Sequence, residues 1–268
     1  MAWEGAVSSY ALRHMADRAS GYVHSVFSTS LNILLDGFLL HVGGTAGPLS
    51  CLGIAVPEPE LRELLGKAKA GDLAFLSKGT LKVYSRAGVT DISYGDFETV
   101  PCELGEPIDG ELLATLVEPL EELGLDARIG LEMDERLRAV LRTLAEKAPD
   151  PPELEAAIRF LLGRGKGLTP SGDDLLVGYG VAQWLRGRQK PFTDALTSVL
   201  GSQTTDVSLA YLRAMVAGVA NPDYCELANA VRGGERARYK GLLTRLQNVG
   251  HTSGSDGLLG FLHGLKVR

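Results

Sequence analysis

Residues 163–180 read GRGKGLTPSGDDLLVGYG, a glycine-rich basic loop that runs directly into an almost wholly apolar segment. Three glycines alternate with two cations over residues 163–167. Glycine adopts positive φ angles readily and lets a ligand approach the backbone closely, while the cations attract negative charge. We therefore predict that this loop binds a small anion through Lys166 and the backbone of Gly165 and Gly167.

A buried helix is predicted to begin directly after the loop. Ser171, followed three residues later by Asp174, has the pattern of a capping box, in which side chains bond to the first unpaired N–H groups of a helix. Residues 175–185 are apolar on every face except at Gln183, which indicates a helix in the core. A capping box uses one acid, so we expect Asp173 to be free to face a ligand or an ion. The alternative is ordinary architecture, a turn followed by a capped core helix.

The helix start has a second copy 82 positions further along the chain. Residues 253–260 share with residues 171–178 the pattern Ser-Gly-x-Asp-x-Leu-apolar-Gly. Both copies place a glycine one turn into the helix, where a second helix can cross at short distance. Two converging helix starts would direct their dipoles and N–H groups at one small volume, as in sites for phosphate or carboxylate. Chance similarity of the two segments is the alternative.

The candidate site residues are assigned by expected role. The candidate catalytic residues are Lys166, Asp173 and His24. The candidate substrate-binding residues are Gly165, Gly167, Thr169, Ser171, Gly172, Asp174, Ser253, Gly254, Asp256, Thr205 and Ser208. A structural role is the alternative for His24, and capping of a helix is the alternative for Thr205.

The composition limits the classes of protein to be considered. A net charge of −6 argues against a nucleic-acid binder, since no basic face dominates the field. Three widely spaced cysteines without nearby histidines predict neither a disulfide framework nor a zinc site. No apolar run reaches the roughly 20 residues of a membrane span, and the chain starts without the pattern of a secretion signal. We expect a cytoplasmic protein.

Two regions with different hydrophobic periods divide the chain. Short β-branched and aromatic runs between glycine turns, over about residues 21–106, predict a mostly antiparallel sheet or small barrel. Helices are predicted before it, at residues 6–19, and within it, whereas the rest of the chain has only helical spacing. The expected fold class is α+β, with a β-rich N-terminal domain over residues 1–106 and a helical C-terminal domain over residues 107–268. The helical domain is expected to contain the two converging glycine-rich helix starts.

The glycine-rich stretch also carries a family resemblance. The run Gly-x-Gly-x-Gly-Leu-Thr-Pro-Ser-Gly-Asp-Asp at residues 163–174, with residues 23–27 and Thr205-x-x-Ser208, resembles the AllH family of bacterial proteins over nearly the whole chain. The best-understood member of that family is a subunit of oxamate carbamoyltransferase. The resemblance implies a role in anaerobic allantoin degradation, a part of purine catabolism. There, AllF-, AllG- and AllH-type subunits exchange oxalurate and phosphate with oxamate and carbamoyl phosphate.

These substrates agree with the loop and the helix starts, because all of them are small anions. Carbamoyl transfer needs charge stabilisation on a tetrahedral intermediate, which N–H donors, Lys or Arg provide. We therefore expect a carbamoyltransferase subunit without a cofactor, although a divalent cation such as magnesium could neutralise the aspartates. Two alternatives stay open: a non-catalytic anion-sensing or assembly subunit, and a magnesium-dependent phosphoryl-transfer enzyme.

Overall fold

The chain forms two compact units, Met1–Glu103 and Leu104–Arg268. The computed structural model describes residues 4–15, 18–146, 150–201 and 203–266. The first unit is built around a β-sheet and the second consists of helices, so the predicted α+β class is confirmed.

The strands of the first unit join into one curled mixed sheet, a half-barrel. The strands are β1 Ala6–Ser8, β2 Arg18–Val26, β3 Ser30–Leu35, β4 Phe38–Gly44, β5 Gly53–Val56, β6 Leu73–Ser77, β7 Thr80–Ser85, β8 Gly88–Ser93 and β9 Glu98–Val100. Their order across the sheet is β8-β7-β6-β2-β3-β4-β5-β1-β9. Neighbours pair antiparallel except for β4 with β5 and β1 with β9, within the described strands. The mostly antiparallel sheet was therefore predicted correctly.

Two hairpins of this sheet have turns whose central residues adopt positive φ. The turn between β3 and β4 has Asp36 at φ 44° and Gly37 at φ 87°, and the turn between β6 and β7 has Lys78 at 47° and Gly79 at 77°. Positive φ at both central residues is the requirement of a type I′ turn, which matches the twist of the flanking strands. An Asp-Gly pair between two apolar runs is a sequence signal for such a hairpin, and Asp36-Gly37 follows it.

The helix predicted at residues 6–19 is shorter than expected. Strand β1 precedes helix α1, Ser9–His14, and β2 follows it. The hydroxyl of Ser8 accepts from the amide of Ala11 at 2.8 Å, which fixes the start of the helix after the strand. Residues 16 and 17 lie outside the described part of the chain.

The inserted helix α2, Glu58–Lys67, packs against the sheet through its buried residues Leu61 and Leu64. Alternate residues of the central strands are buried on the same side as these leucines. This apolar side contains, among others, Leu31, Ile33, Leu35, Leu40 and Val42.

The second unit is helical throughout its described residues, apart from turns and loops. Its α-helices are α3 Gly110–Ala114, α4 Val117–Glu121, α5 Glu135–Glu146, α6 Pro151–Leu161, α7 Ser171–Leu185, α8 Gln189–Val199, α9 Asp206–Val216, α10 Pro222–Arg232, α11 Tyr239–Gln247 and α12 Ser253–Lys266. The helical spacing of residues 110–123 predicts one helix, but the structure divides it into α3 and α4, because Pro119 has no N–H and cannot continue the first helix. None of the helices described here is long and apolar enough to cross a membrane.

Helices α7 and α12 form the centre of this unit. Helix α7 is buried on nearly every side, as predicted from its apolar sequence, and it shares one core with α12. The two helices run in the same direction. Near their far ends, Gln183 Nε2 of α7 donates to the carbonyl oxygen of Gly264 in α12 at 3.1 Å.

Candidate functional site

Helices α7 and α12 cross through glycine. A Cβ placed on Gly178 would overlap the backbone carbonyl oxygen of Gly257, and one placed on Gly260 would overlap the carbonyl oxygen of Leu175. No side chain separates the two backbones at either contact, so glycine alone fits both positions. Adding 82 to the numbers of Gly178 and Leu175 gives Gly260 and Gly257, so each contact is the counterpart of the other. The two contacts are therefore related by a local twofold axis. The prediction that Gly178 lies at a helix crossing is confirmed.

The same twofold relation brings the two helix starts together. The hydroxyl of Thr169, just before α7, lies 3.2 Å from the hydroxyl of Ser253 at the start of α12. The side chain of Ser253 interacts with Asp174, and that of Ser171 interacts with Asp256. Each serine thus contacts the acid of the other copy. The predicted convergence of the two starts is confirmed.

Each helix start is also fixed against the helix that precedes it. A Cβ on Gly172 would overlap the carbonyl oxygen of Leu161 in α6, and a Cβ on Gly254 would overlap that of Leu246 in α11. The glycine of each Ser-Gly pair therefore lets its helix pack on the last turn of its predecessor. This contact is a third feature shared by the two copies.

Some of the backbone N–H groups that were expected to bind an anion form hydrogen bonds within the chain instead. The amide of Gly172 donates to the carbonyl oxygen of Arg164 at 2.8 Å, and the amide of Gly254 donates to that of Val249 at 2.9 Å. These two amides are therefore unavailable to a ligand. Fewer free N–H groups therefore remain at the two helix starts than the sequence predicted.

The predicted capping box at Ser171 is wrong. Pro170 occupies the N-cap position with extended backbone, and no side chain of the described residues caps α7. Ser171 lies inside the first turn, so the helix begins one residue earlier than expected. This shift places Asp173 at the third helical position and Asp174 at the fourth.

Asp173 is bonded to the chain itself, contrary to the expectation that it faces a ligand. It is 1% exposed. Its Oδ1 accepts from the amide of Gly163 at 2.7 Å, and its Oδ2 accepts from the hydroxyl of Thr204. Burial raises the pKa of Asp173, while its bonds to Gly163, Thr204 and Ser208 lower it. Asp173 therefore fixes the glycine-rich loop and the segment before α9.

Asp174 lies at the crossing with one oxygen unsatisfied. Its Oδ2 is buried and has no hydrogen-bond partner among the described residues. Burial raises the pKa of Asp174 to about 8, and the neighbouring carboxyls of Asp256 and Asp173 act in the same direction. The side chains of Ser253 and Thr169 oppose this effect only in part. Asp174 is therefore mostly a neutral carboxylic acid at pH 7.

Asp256 holds a loop over the start of α12. It is 1% exposed, and its Oδ1 accepts from the amide of Gly130 at 2.9 Å. A Cβ on Gly130 would overlap the hydroxyl of Ser171 and lie 2.8 Å from that of Thr252, so a side chain there would displace these two hydroxyls. Burial raises the pKa of Asp256, and its Oδ2 finds no hydrogen-bond partner in the part of the chain that is described.

The glycine-rich loop has the backbone expected of it. Gly163, Gly165 and Gly167 adopt φ angles of 70°, 126° and 85°, one of the two uses expected of glycine in this loop. Lys166 lies between the last two with an exposed side chain. The loop therefore presents this cation to solvent.

Thr205 caps a helix, as the alternative interpretation of this residue expected. Its hydroxyl accepts from the amide of Ser208 at 3.0 Å at the start of α9, and it donates to the carbonyl oxygen of Leu168. Thr205 thereby joins the start of α9 to the end of the loop.

His24 lies on β2 in the N-terminal unit and belongs to a polar chain that the sequence did not reveal. Its Nδ1 is 3.2 Å from the hydroxyl of Ser25, which accepts from Asn32 Nδ2 at 3.0 Å. Asn32 Oδ1 lies 2.9 Å from Nδ1 of His41, whose pKa burial lowers to about 4. The available signal was the placement of Asn32 and His41 as polar residues inside two otherwise apolar strands that pair directly.

The acids at the crossing do not form a metal centre. No group of three or more His, Cys, Asp or Glu side chains is placed to hold a metal ion, over the described ranges. Asp173, Asp174 and Asp256 have separate partners, so they do not present a shared set of oxygens. The possible divalent cation finds no support in this geometry.

Comparison with protein families supplies a match to the segment that contains both helix starts. Residues 161–265 match the family model AllH, described as oxamate carbamoyltransferase subunit AllH. This segment is AllH-like. The resemblance drawn from the glycine-rich stretch is thereby confirmed over the segment. No solved structure matches the chain.

Proposed function

We propose that this chain is a subunit of an oxamate carbamoyltransferase-type enzyme that acts in the cytoplasm with AllF-type and AllG-type partners. The observation that carries the proposal is the AllH match over residues 161–265. That segment includes both glycine crossings, both Ser-Gly starts and the loop that bears Lys166. The substrates would be small anions: phosphate, carbamoyl phosphate, oxamate or oxalurate.

The glycine-rich loop is the part of the AllH-like segment that we propose to contact substrate. This loop differs in length from its counterpart before α12, so it departs from the twofold relation. Leu161 and Gly172 are eleven positions apart, whereas the equivalent Leu246 and Gly254 are eight positions apart. The first loop therefore has three more residues than the second, and it presents Lys166 to solvent. A cation on a fixed loop can stabilise the charge that develops on a leaving phosphate or a tetrahedral oxygen.

We propose that the acids at the crossing support anion binding without repelling the anion. Because the pKa of Asp174 is raised to about 8, this side chain is largely uncharged at pH 7 and can donate a hydrogen bond from its unsatisfied oxygen. Asp173 acts indirectly, by fixing the loop through Gly163. Serine and threonine hydroxyls at the two helix starts complete the proposed binding surface.

A non-catalytic assembly or anion-sensing subunit is the second candidate function. It is favoured by the environment of the candidate catalytic residues, since Asp173 is engaged within the chain and His24 belongs to a polar chain in the other unit. Lys166 then remains as the exposed candidate. The magnesium-dependent phosphoryl-transfer alternative has no comparable support.

The test is phosphate-dependent cleavage of oxalurate by the purified chain, alone and after reconstitution with AllF-type and AllG-type subunits. We expect activity in the complex, and we expect Lys166→Met to reduce it at least tenfold without changing the melting temperature. Lys240→Met is the matched control, because Lys240 is another exposed lysine of the same unit. It should leave activity unchanged.

The outcomes separate the two candidate functions. A reconstituted complex that assembles but does not cleave oxalurate would disprove the proposed reaction. A complex that is fully active with Lys166→Met would show that Lys166 is dispensable, and it would favour the assembly or sensing subunit.

A further inference from the structure

A cleft of about 430 Å³ opens beside the start of α12. It lies between the end of α11, the loop that leads into α12, and the loop that Asp256 holds through Gly130. The residues that matter for its chemistry are Arg128, Gln247, His251, Thr252 and Ser255. None of the described residues that line it is acidic.

Two polar groups of the cleft are unsatisfied. Ser255 is 5% exposed and lines the cleft, yet its hydroxyl makes no hydrogen bond to any residue that the structure describes. The Nε2 of Gln247 is buried and likewise has no partner among those residues. Buried polar groups are nearly always hydrogen-bonded, so the Nε2 of Gln247 lacks a partner that a molecule in the cleft can supply, and the hydroxyl of Ser255 is a further group that the described residues leave unused.

The charges around the cleft define what that molecule is. Arg128 is exposed, and its guanidinium forms no ion pair within the described residues. By contrast, Arg238 and Arg245 of the same unit both pair with Glu226. The positive end of the α12 dipole lies at the same place, and His251 adds a nitrogen donor. The cleft therefore combines positive charge with neutral donors.

We propose that this cleft binds a small oxyanion, held by the guanidinium of Arg128, the side-chain amide of Gln247 and the hydroxyl of Ser255. This is a second site, formed by residues other than the Lys166 loop, and it does not depend on the assignment of a carbamoyltransferase. Its volume exceeds that of a single phosphate ion. The ligand is accordingly a small metabolite with a phosphate or carboxylate group rather than a macromolecule.

The test is calorimetric titration of the full chain with inorganic phosphate and, separately, with oxamate, which distinguishes the two sources of the oxyanion. We expect Arg128→Gln to weaken binding at least tenfold and Ser255→Ala to weaken it about threefold to tenfold, as loss of a charged and of a neutral hydrogen bond typically does. The control is Arg142→Gln, which removes an exposed charge from α5 and should leave affinity unchanged. Saturating ligand should raise the melting temperature of the wild type more than that of Arg128→Gln.

The proposal fails if neither anion binds the wild-type chain at millimolar concentration. It also fails if Arg128→Gln and Ser255→Ala both bind as tightly as Arg142→Gln, since the anion would then lie elsewhere. If Lys166→Met no longer bound the anion but Arg128→Gln still did, the anion would bind at the glycine-rich loop. The proposal that the cleft binds it would then be wrong. Because these titrations use the chain alone, their outcome is distinct from loss of oxalurate cleavage in the complex.

Discussion

The starts of α7 and α12 have the same sequence pattern and the same crossing geometry, but they differ in what they leave open. Asp173 of α7 and Ser255 of α12 are equivalent under the 82-residue offset. Asp173 is fully engaged by Gly163 and Thr204, whereas the hydroxyl of Ser255 lines a cleft without a partner in the described chain. One copy is closed by its own loop, and the other borders a cleft.

This difference shows how a repeated scaffold can serve two purposes. The glycine contacts, which fix the two helices together, are identical in both copies and tolerate no side chain. The position after each Ser-Gly pair is free of that constraint and has diverged. An acid there stabilises a longer loop in the first copy, and a small hydroxyl leaves room beside the second.

The largest expected effect comes from the crossing that the two copies share. Gly178→Ala should destabilise the chain by about 1–3 kcal/mol or more, because its Cβ would overlap the backbone of Gly257 and neither backbone can yield easily. Gly178→Leu should prevent folding of the helical unit. Chemical denaturation of the purified variants measures both effects.

Gly241→Ala is the matched control for this experiment. Gly241 lies within α11, and a Cβ there would meet no atom of the described chain within 4 Å. Alanine should therefore stabilise the protein by about 0.5–1 kcal/mol, since it favours the helix over the unfolded chain. Equal free energies of unfolding for Gly178→Ala and Gly241→Ala would contradict the close crossing.

The next effect separates the two equivalent positions. Asp173→Ala should cost about 1–3 kcal/mol in total, because it leaves the part-buried amide of Gly163 and the part-buried hydroxyl of Thr204 without their acceptor. Ser255→Ala should change the free energy of unfolding by less than about 0.5 kcal/mol, since its hydroxyl has no bond within the described residues to lose. Thermal melting of both variants tests this, and similar losses would show that the two starts are not differently used.

The last prediction concerns the pH dependence of stability. The pKa of Asp174 is about 8 in the folded protein against 3.8 in the unfolded chain, so the folded state holds a proton that the unfolded state releases between these values. Stability from this group is therefore complete below about pH 4 and is lost as the pH rises to about 8. Asp174→Asn should lose less stability than the wild type over that range.

Urea denaturation at several pH values across the window measures this slope. The control is Asp194→Asn, because Asp194 is exposed and pairs only with Lys190 in the described structure. If the free energy of unfolding of Asp174→Asn fell with pH as steeply as that of the wild type, the carboxyl of Asp174 would be ionised at neutral pH. The crossing would then repel an anion.

Features set by local sequence were predictable. The hairpin at Asp36-Gly37 follows from the backbone preference of its own residues, and the buried character of α7 follows from an uninterrupted apolar run. The crossing at Gly178 was accessible as well, because a glycine inside a buried helix is costly unless a neighbour approaches closely. The constant offset to Gly260 supplied that neighbour.

The roles of the acids were not predictable, because they depend on one residue of register and on distant partners. Pro170 takes the N-cap position that Ser171 was expected to occupy, and this moves both aspartates by one place around the helix. The partner Thr204 comes from a segment thirty-one positions away. The cleft is assembled in the same way, since Arg128 and Gln247 have no sequence motif in common.

The crossing of α7 and α12 also has a consequence during synthesis. Helix α7 is apolar on nearly every side, yet the helix that covers it is translated 82 residues later. At about 5–20 residues per second, the nascent chain exposes this apolar surface for roughly 4–16 seconds. A chain that is released before Ser253 is translated therefore leaves the side of α7 that faces α12 without its cover, although α6, α8 and α9 are already present.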